Sequence, residues 1–245
     1  PNILVRDYLT TIGQSDPKFE AHANELIERG YKKLIAFETK EKGYEWFGGA
    51  PGHEALTAYG LMQFNDMKKV YSGVDQNMID RTANWLMASK DGKGGYKRNA
   101  RALDNFGGAS QNITDAYITY ALACANYENI KMELDHLYEE AKSPKDAYVM
   151  GLAANALFAY HKDKRAASIL NELMKKQEAD GSFMGANHSI TRSTDKALRV
   201  ETTSLAIMAM LQSDEIKAES LNKAVDYLTK ARSGYGDFGN TQSTI

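Results

Sequence analysis

Apolar positions recur at helical spacing from one end of this chain to the other, and strand-like alternation is scarce. The spacing predicts helices over 2–13, 17–40, 52–71, 75–90, 110–128, 131–142, 144–161, 163–178, 199–213 and 216–232. The breaks fall at Gly13, Gly43, Gly73, the glycines from 92 to 95, Pro144, Gly181 and Gly234, residues that end helices or open turns.

The predicted helices are of two kinds, and they alternate. DAYITYALACA, AYVMGLAANALFAY and VETTSLAIMAML are apolar almost all round, with small residues that allow close approach. FEAHANELIERGYKKLIAFE, KRAASILNELMKKQ and SLNKAVDYLTKA carry charge on one face. A helix apolar all round is buried, and an amphipathic one covers it. The expected fold is therefore all-α, an α/α toroid in which an inner ring of helices is wrapped by an outer one. An open solenoid of helix pairs would repeat at a fixed period. The inner-helix starts near 52, 110, 144, 199 and 241 do not, and this disfavours it. Residues 1–245 are read as one such domain.

Four glycine-rich stretches lead from an outer helix into the next inner one: GYEWFGGAPGH, DGKGGYKRNARALDNFGG, DGSFMGANHS and GYGDFGNTQ. In a ring they would gather at the end that also collects the inner helices' amino termini, where free N–H groups favour negative charge. Chemistry is expected at that end. Trp46, Phe47, Tyr96, Phe183 and Phe238 beside these glycines read first as anchors pinning each loop, and second as stacking platforms. Glu54, Asp104, Asp115 and Glu201 read first as caps or helix-to-loop acceptors. Of the five histidines only His53 and His188 fall at the loop end; His22 and His161 belong to charged helical stretches. No metal-ligand spacing such as HExxH occurs, so no metal or other cofactor is expected.

Composition narrows the choice. The chain has 245 residues, 43% hydrophobic and 25% charged, with a net charge of −2. That balance argues against nucleic acid or an anionic membrane as the main partner. No apolar run approaches the length of a membrane span. Cys124, the lone cysteine, is in an apolar run and is expected to be buried and inert; alone it supports neither an internal disulfide nor a cysteine zinc site. GKGG lacks the spacing of a phosphate loop, and Lys93, Lys97, Arg98 and Arg101 read as a solvated cationic face. Asn112 in NIT and Asn187 in NHS match the glycosylation sequon, which matters only in a eukaryotic secretory route.

Five segments, in order, carry a resemblance: PNILVRDYL at the start, EALTAYGLMQF at 54–64, DGKGGY at 91–96 followed by GG at 107–108, VETTSLAIMAML at 200–211, and GYGDFGNTQSTI at the end. Together they resemble the thioester domain of the α2-macroglobulin and complement family. The resemblance implies a ring of six α-hairpins. It also implies a CxEQ motif shortly before the segment like PNILVRDYL, whose cysteine and glutamine form an internal thioester. Proteolysis exposes that thioester, and a target amine or hydroxyl then takes the acyl group once, so the activity is trapping and not enzymatic turnover. No CxEQ occurs in these residues, so the expectation is a domain excised just after its reactive motif and cut again before its last outer helix.

In complement members the loop corresponding to 91–108 carries a histidine that relays the acyl group to hydroxyls. Counting from Tyr96, that position falls on Asp104, with Asn105 next if the register slips; the loop has no histidine. Asp104, Asn105, Tyr96, His53 and Glu201 are thus the candidate thioester-facing residues. The parent implied is an extracytoplasmic protease trap, secreted, cell-surface or periplasmic, whose partners are proteases and its own other domains. Two rivals stand beside it: a toroid carbohydrate-active lyase or hydrolase using His53, Tyr96 and Asp104, and a docking module without chemistry. An uncovered apolar strip near residues 1–13 and 241–245 is expected to make the fragment self-associate.

Overall fold

The computed structural model describes residues 2–14, 16–49, 51–99, 108–143, 146–185, 187–215 and 217–239. Among them are ten helices and no strand beyond two isolated bridges. All ten predicted helices are present. They are α1 (Asn2–Thr11), α2 (Pro17–Ile35), α3 (Glu54–Val70), α4 (Gln76–Ala88) and α5 (Gln111–Cys124), followed by α6 (Lys131–Lys142), α7 (Ala147–Ala159), α8 (Arg165–Met174), α9 (Asp195–Gln212) and α10 (Ala218–Ala231). The fold is all-α.

The chain divides into two compact units, Pro1–Lys90 with Tyr96–Asp104, and Asp91–Gly95 with Asn105–Ile245. In unit 1, α3 packs against α1, α2 and α4, and α1 also packs against α2. Leu61 and Phe64 of α3 are fully buried, with Tyr31 and Tyr44 against the Phe64 ring. In unit 2, α7 is central and packs against α5, α6, α8 and α9. Every residue of α7 from Ala147 to Leu157 is buried, as expected of a helix apolar all round. Helix α10 buries only Ala224.

Two close approaches fix the central helices. Gly151 of α7 lies so near α9 that a Cβ there would come 2.9 Å from the Leu205 Cβ. Asn155, one turn on, is fully buried among apolar helices, and its amide donates to the carbonyls of Gly151 (2.8 Å) and Leu205 (2.9 Å). Its Oδ1 accepts from the Gln212 side chain at 2.6 Å. A buried amide in an apolar layer is tolerable only when satisfied in this way.

Several local features differ from the sequence expectation, and α5 and α8 each end four residues early. Helix α2 ends at Ile35, five residues early, because Phe37–Thr39 turn into a ladder with Gly43–Glu45. Helix α9 begins at Asp195, four residues early. Cys124 is half-buried rather than buried, since it is the last residue of α5. As expected, α1 leaves an apolar stripe uncovered: Leu4, Val5, Tyr8 and Ile12 are 41–63% exposed. Residues 241–245 lie outside the described residues.

Candidate functional site

The four glycine-rich loops open on the same turn. In each, a residue just beyond a helix donates its N–H to the carbonyl four residues on, and an aromatic residue follows. The pairs are Thr39 to Gly43 (2.7 Å), Asp91 to Gly95 (3.0 Å), Glu178 to Ser182 (2.8 Å) and Ser233 to Asp237 (2.7 Å). The aromatics that follow are Tyr44, Tyr96, Phe183 and Phe238. The first three are buried, so the anchor reading holds for Tyr96 and Phe183. In the first loop it needs correction. Tyr44 is the anchor there, while Trp46 and Phe47 are 45% and 78% exposed.

In the first and third loops a threonine on the following helix receives the anchor. The backbone N–H of Tyr44 donates to Thr57 Oγ1 at 2.8 Å, and that hydroxyl donates back to the His53 carbonyl at 2.8 Å. Phe183 and Thr203 repeat the arrangement at 3.0 Å, with the Thr203 hydroxyl donating to the Arg199 carbonyl at 2.7 Å. Both threonines are fully buried. The sequence reading did not single them out, although the recurrence of ALT and ETT before apolar runs was available as a signal.

Carboxylates hold the loops from within. Asp91 Oδ1 accepts from the N–H groups of Lys93 (2.6 Å) and Gly95 (3.0 Å), which keeps its pKa below the ordinary carboxylate value. Asp180 accepts from the hydroxyl and N–H of Ser182, and Asp237 from the Gly239 N–H and the Ser233 hydroxyl; both are lowered for the same reason. In the first loop, buried Glu45 accepts from the N–H groups of Phe47 (2.8 Å) and Gly49 (3.4 Å).

The N-terminus of α3 gathers more of the expected residues than any other place in unit 1. His53 is the N-cap of α3, its Nδ1 facing the Leu56 N–H at 3.5 Å and its ring lying edge-on to Trp46 at 6.4 Å. Glu54, the first helical residue, is buried, and its Oε1 accepts the backbone N–H of Asn99. Tyr96 bridges to Lys90, and Lys97 donates to the Ser89 carbonyl at 2.7 Å. So the Tyr96–Asn99 segment is tied on one side to the end of α4 and on the other to the start of α3.

In unit 2, Glu201 is half-buried and accepts from the Thr191 hydroxyl at 3.4 Å. Ser189 and Ser193 complete a small hydroxyl cluster around Thr191. The ring Nδ1 of His188 donates to the neighbouring Ser189 carbonyl at 2.9 Å, a local turn contact. Asp115 Oδ2 lies beneath Gly95, where a Cβ would come within 2.7 Å of it. Asp104 and Asn105 lie outside the described residues. Among the described residues no group of three His, Cys, Asp or Glu side chains could hold a metal ion, and no helix is long and apolar enough to cross a membrane. A groove of about 380 Å³ opens elsewhere in unit 2, between α8 and the α9–α10 turn, floored by Leu170, Met174 and Met210. Lys162, Lys217, Asp214 and Glu215 mix charges along it, and Lys162 Nζ lies 3.4 Å from an Asp214 carboxylate oxygen.

The whole chain, residues 1–245, matches the family model described as the A-macroglobulin TED domain. The chain belongs to that family. The TED domain is 25% identical over 255 residues to thioester-containing protein 1 allele R1 of Anopheles gambiae, covering 100% of this chain and 18% of that protein. It is 21% identical over 255 residues to allele S3 from the same mosquito, again covering 18% of the longer protein. The TED domain thus spans less than a fifth of the length of these relatives.

Proposed function

We propose that this TED domain serves a larger protease-trapping protein as the support on which an internal thioester is held and used once. The observation that carries the reading is the match over residues 1–245, together with relatives named for a thioester of which the chain covers 18%. The attacking amine nitrogen adds to the thioester carbonyl, the carbon–sulfur bond breaks, the thiolate leaves and an amide remains. The bond is consumed, so the event is a single transfer, not turnover. The cysteine and glutamine would come from a CxEQ segment of the parent, since this chain contains none.

The domain's own contribution is rigidity. Its loop carboxylates Asp91, Asp180, Asp237, Glu45 and Glu54 accept backbone N–H groups, which suits a support better than a cleft. The helices belong, in this reading, to a ring of six hairpins in an extracytoplasmic parent that is secreted, cell-surface or periplasmic. Proteases and the parent's other domains are its partners.

Acceptor choice tests the reading. Imidazole attacks acyl groups near neutral pH, whereas a carboxylate at the same place relays poorly to hydroxyls and attracts ammonium groups. With Asp104 where complement members carry histidine, the protease-activated parent takes up labelled methylamine in preference to labelled glycerol. Asp104→His raises glycerol uptake. Efficient glycerol uptake by the natural protein, unchanged by the substitution, contradicts the placement of this loop.

A further inference from the structure

The groove between α8 and the α9–α10 turn has the dimensions of a small-molecule site. Its volume of about 380 Å³ falls within the range of such sites, roughly 300–1,000 Å³. Fourteen described residues line it, against roughly 20–30 on each side of a stable protein interface. The floor is apolar: Leu170 and Met210 are 6% and 1% exposed, and Phe158 and Met174 are half-buried. Methionine is unbranched and flexible, so this floor adapts to a chain more readily than to one rigid shape. On the rim, Lys162 is the second of two successive non-glycine residues with a left-handed backbone, φ 53° at His161 and 52° at Lys162. Costly backbone of this kind clusters at ligand clamps.

The rim charges do not cancel. Asp163 is taken by Arg165, whose Nη2 lies 2.7 Å away, and Lys162 faces Asp214 at 3.4 Å. That leaves Lys164 and Lys217 against Glu215. Lys217, just before α10, donates across the groove to Asn171 Oδ1 of α8 at 3.0 Å, and Lys164 has no ion-pair partner among the described residues. A neutral amide holds an ammonium group less strongly than a carboxylate does. Two cations and one anion above an apolar floor complement an anion with an apolar tail. The geometry points to a binding site for a small amphiphile, with an unbranched apolar chain on the Met174–Met210 floor. Its single carboxylate takes Lys217 from Asn171 and faces Lys164. Glu215 repels a second negative charge and so selects monoanions. The site stands apart from the acyl-transfer reading, since none of the candidate thioester-facing residues lines it.

Octanoate is the probe, with octanamide as its neutral counterpart of equal length and acetate as the charge without a tail. Equilibrium dialysis of the full-length protein should find one saturable octanoate site more than in Ala167→Trp, whose indole fills the groove from an exposed position of α8. Lys164→Gln combined with Lys217→Gln should weaken that site about tenfold, as expected for two exposed ion pairs. Octanamide should bind the natural protein as weakly as octanoate binds the double variant, and acetate should not compete. The double variant alters only exposed ammonium groups, so it tests the charge even where the indole disturbs α8. Equal octanoate binding by the natural protein and Ala167→Trp overturns the groove as the site. Equal binding of octanoate and octanamide, or an unweakened double variant, overturns the carboxylate recognition. No saturable octanoate binding overturns the proposal altogether.

Discussion

The fourth residue of each repeated loop turn has a left-handed backbone: Lys42 at φ 76°, Gly94 at 98°, Gly181 at 90° and Gly236 at 87°. Three are glycine, the residue that adopts this conformation without steric cost. Lys42 is the exception. Its side chain is exposed, and its N–H closes the same turn onto Thr39 at 3.0 Å that Gly181 closes onto Glu178 at 2.9 Å. A residue with a Cβ loses about 1–2 kcal/mol in the left-handed region. Glycine forfeits about 0.5–1 kcal/mol of that gain through the greater freedom of its unfolded chain. Lys42→Gly should therefore stabilise unit 1 by about 0.5–1 kcal/mol, or roughly 2–8 °C in melting temperature. Both tryptophans, Trp46 and Trp85, belong to unit 1, so urea unfolding followed by indole fluorescence reads that unit selectively. The equivalent change in the opposite direction is Gly181→Ala, whose Cβ would come 2.1 Å from the Lys223 carbonyl oxygen. It should cost at least about 3 kcal/mol, read by circular dichroism of unit 2. A lowered urea midpoint for Lys42→Gly, or a tolerated Gly181→Ala, would refute the claim that the loops share one turn geometry.

Other outcomes follow from the same contacts. Asn155→Ala removes the amide hydrogen bonds to the Gly151 and Leu205 carbonyls and opens a cavity between α7 and α9, and it should destabilise unit 2 by about 3 kcal/mol in denaturant unfolding. Asp91 has a folded pKa below its ordinary value of 3.8, so its contribution is fully present above that value and is lost as pH falls through the folded pKa. Stability measured against pH should accordingly fall below about pH 4, and less steeply in Asp91→Asn, whose stability at neutral pH is already reduced.

Much of the fold was legible because buried and exposed helices differ in composition. The apolar run of α7 and the charged face of α10 predict their burial without any tertiary information. Boundaries were less legible where a short ladder competes with the helix: the apolar pair Ala36–Phe37 continues the α2 pattern, yet Glu38 bridges to Tyr44. The first anchor was misassigned because GYEWFGG offers three aromatics in four residues, and only the Thr39-to-Gly43 turn selects Tyr44. His53 was legible as a loop-end residue, but its capping role depends on where α3 begins. Glu54 was expected as a cap or a helix-to-loop acceptor; its partner 45 residues away is set by the fold, and no local pattern contains it.

The most direct test of the central claim is covalent capture by the parent protein. The full-length protein would be exposed to a protease and its products denatured, digested and mapped by mass spectrometry. The account predicts an amide joining a glutamine-derived acyl group of the parent to a lysine of the protease, with one new free thiol per bond formed. Prior treatment with methylamine should abolish the conjugate. A parent that releases no thiol and leaves the protease unmodified would contradict the account.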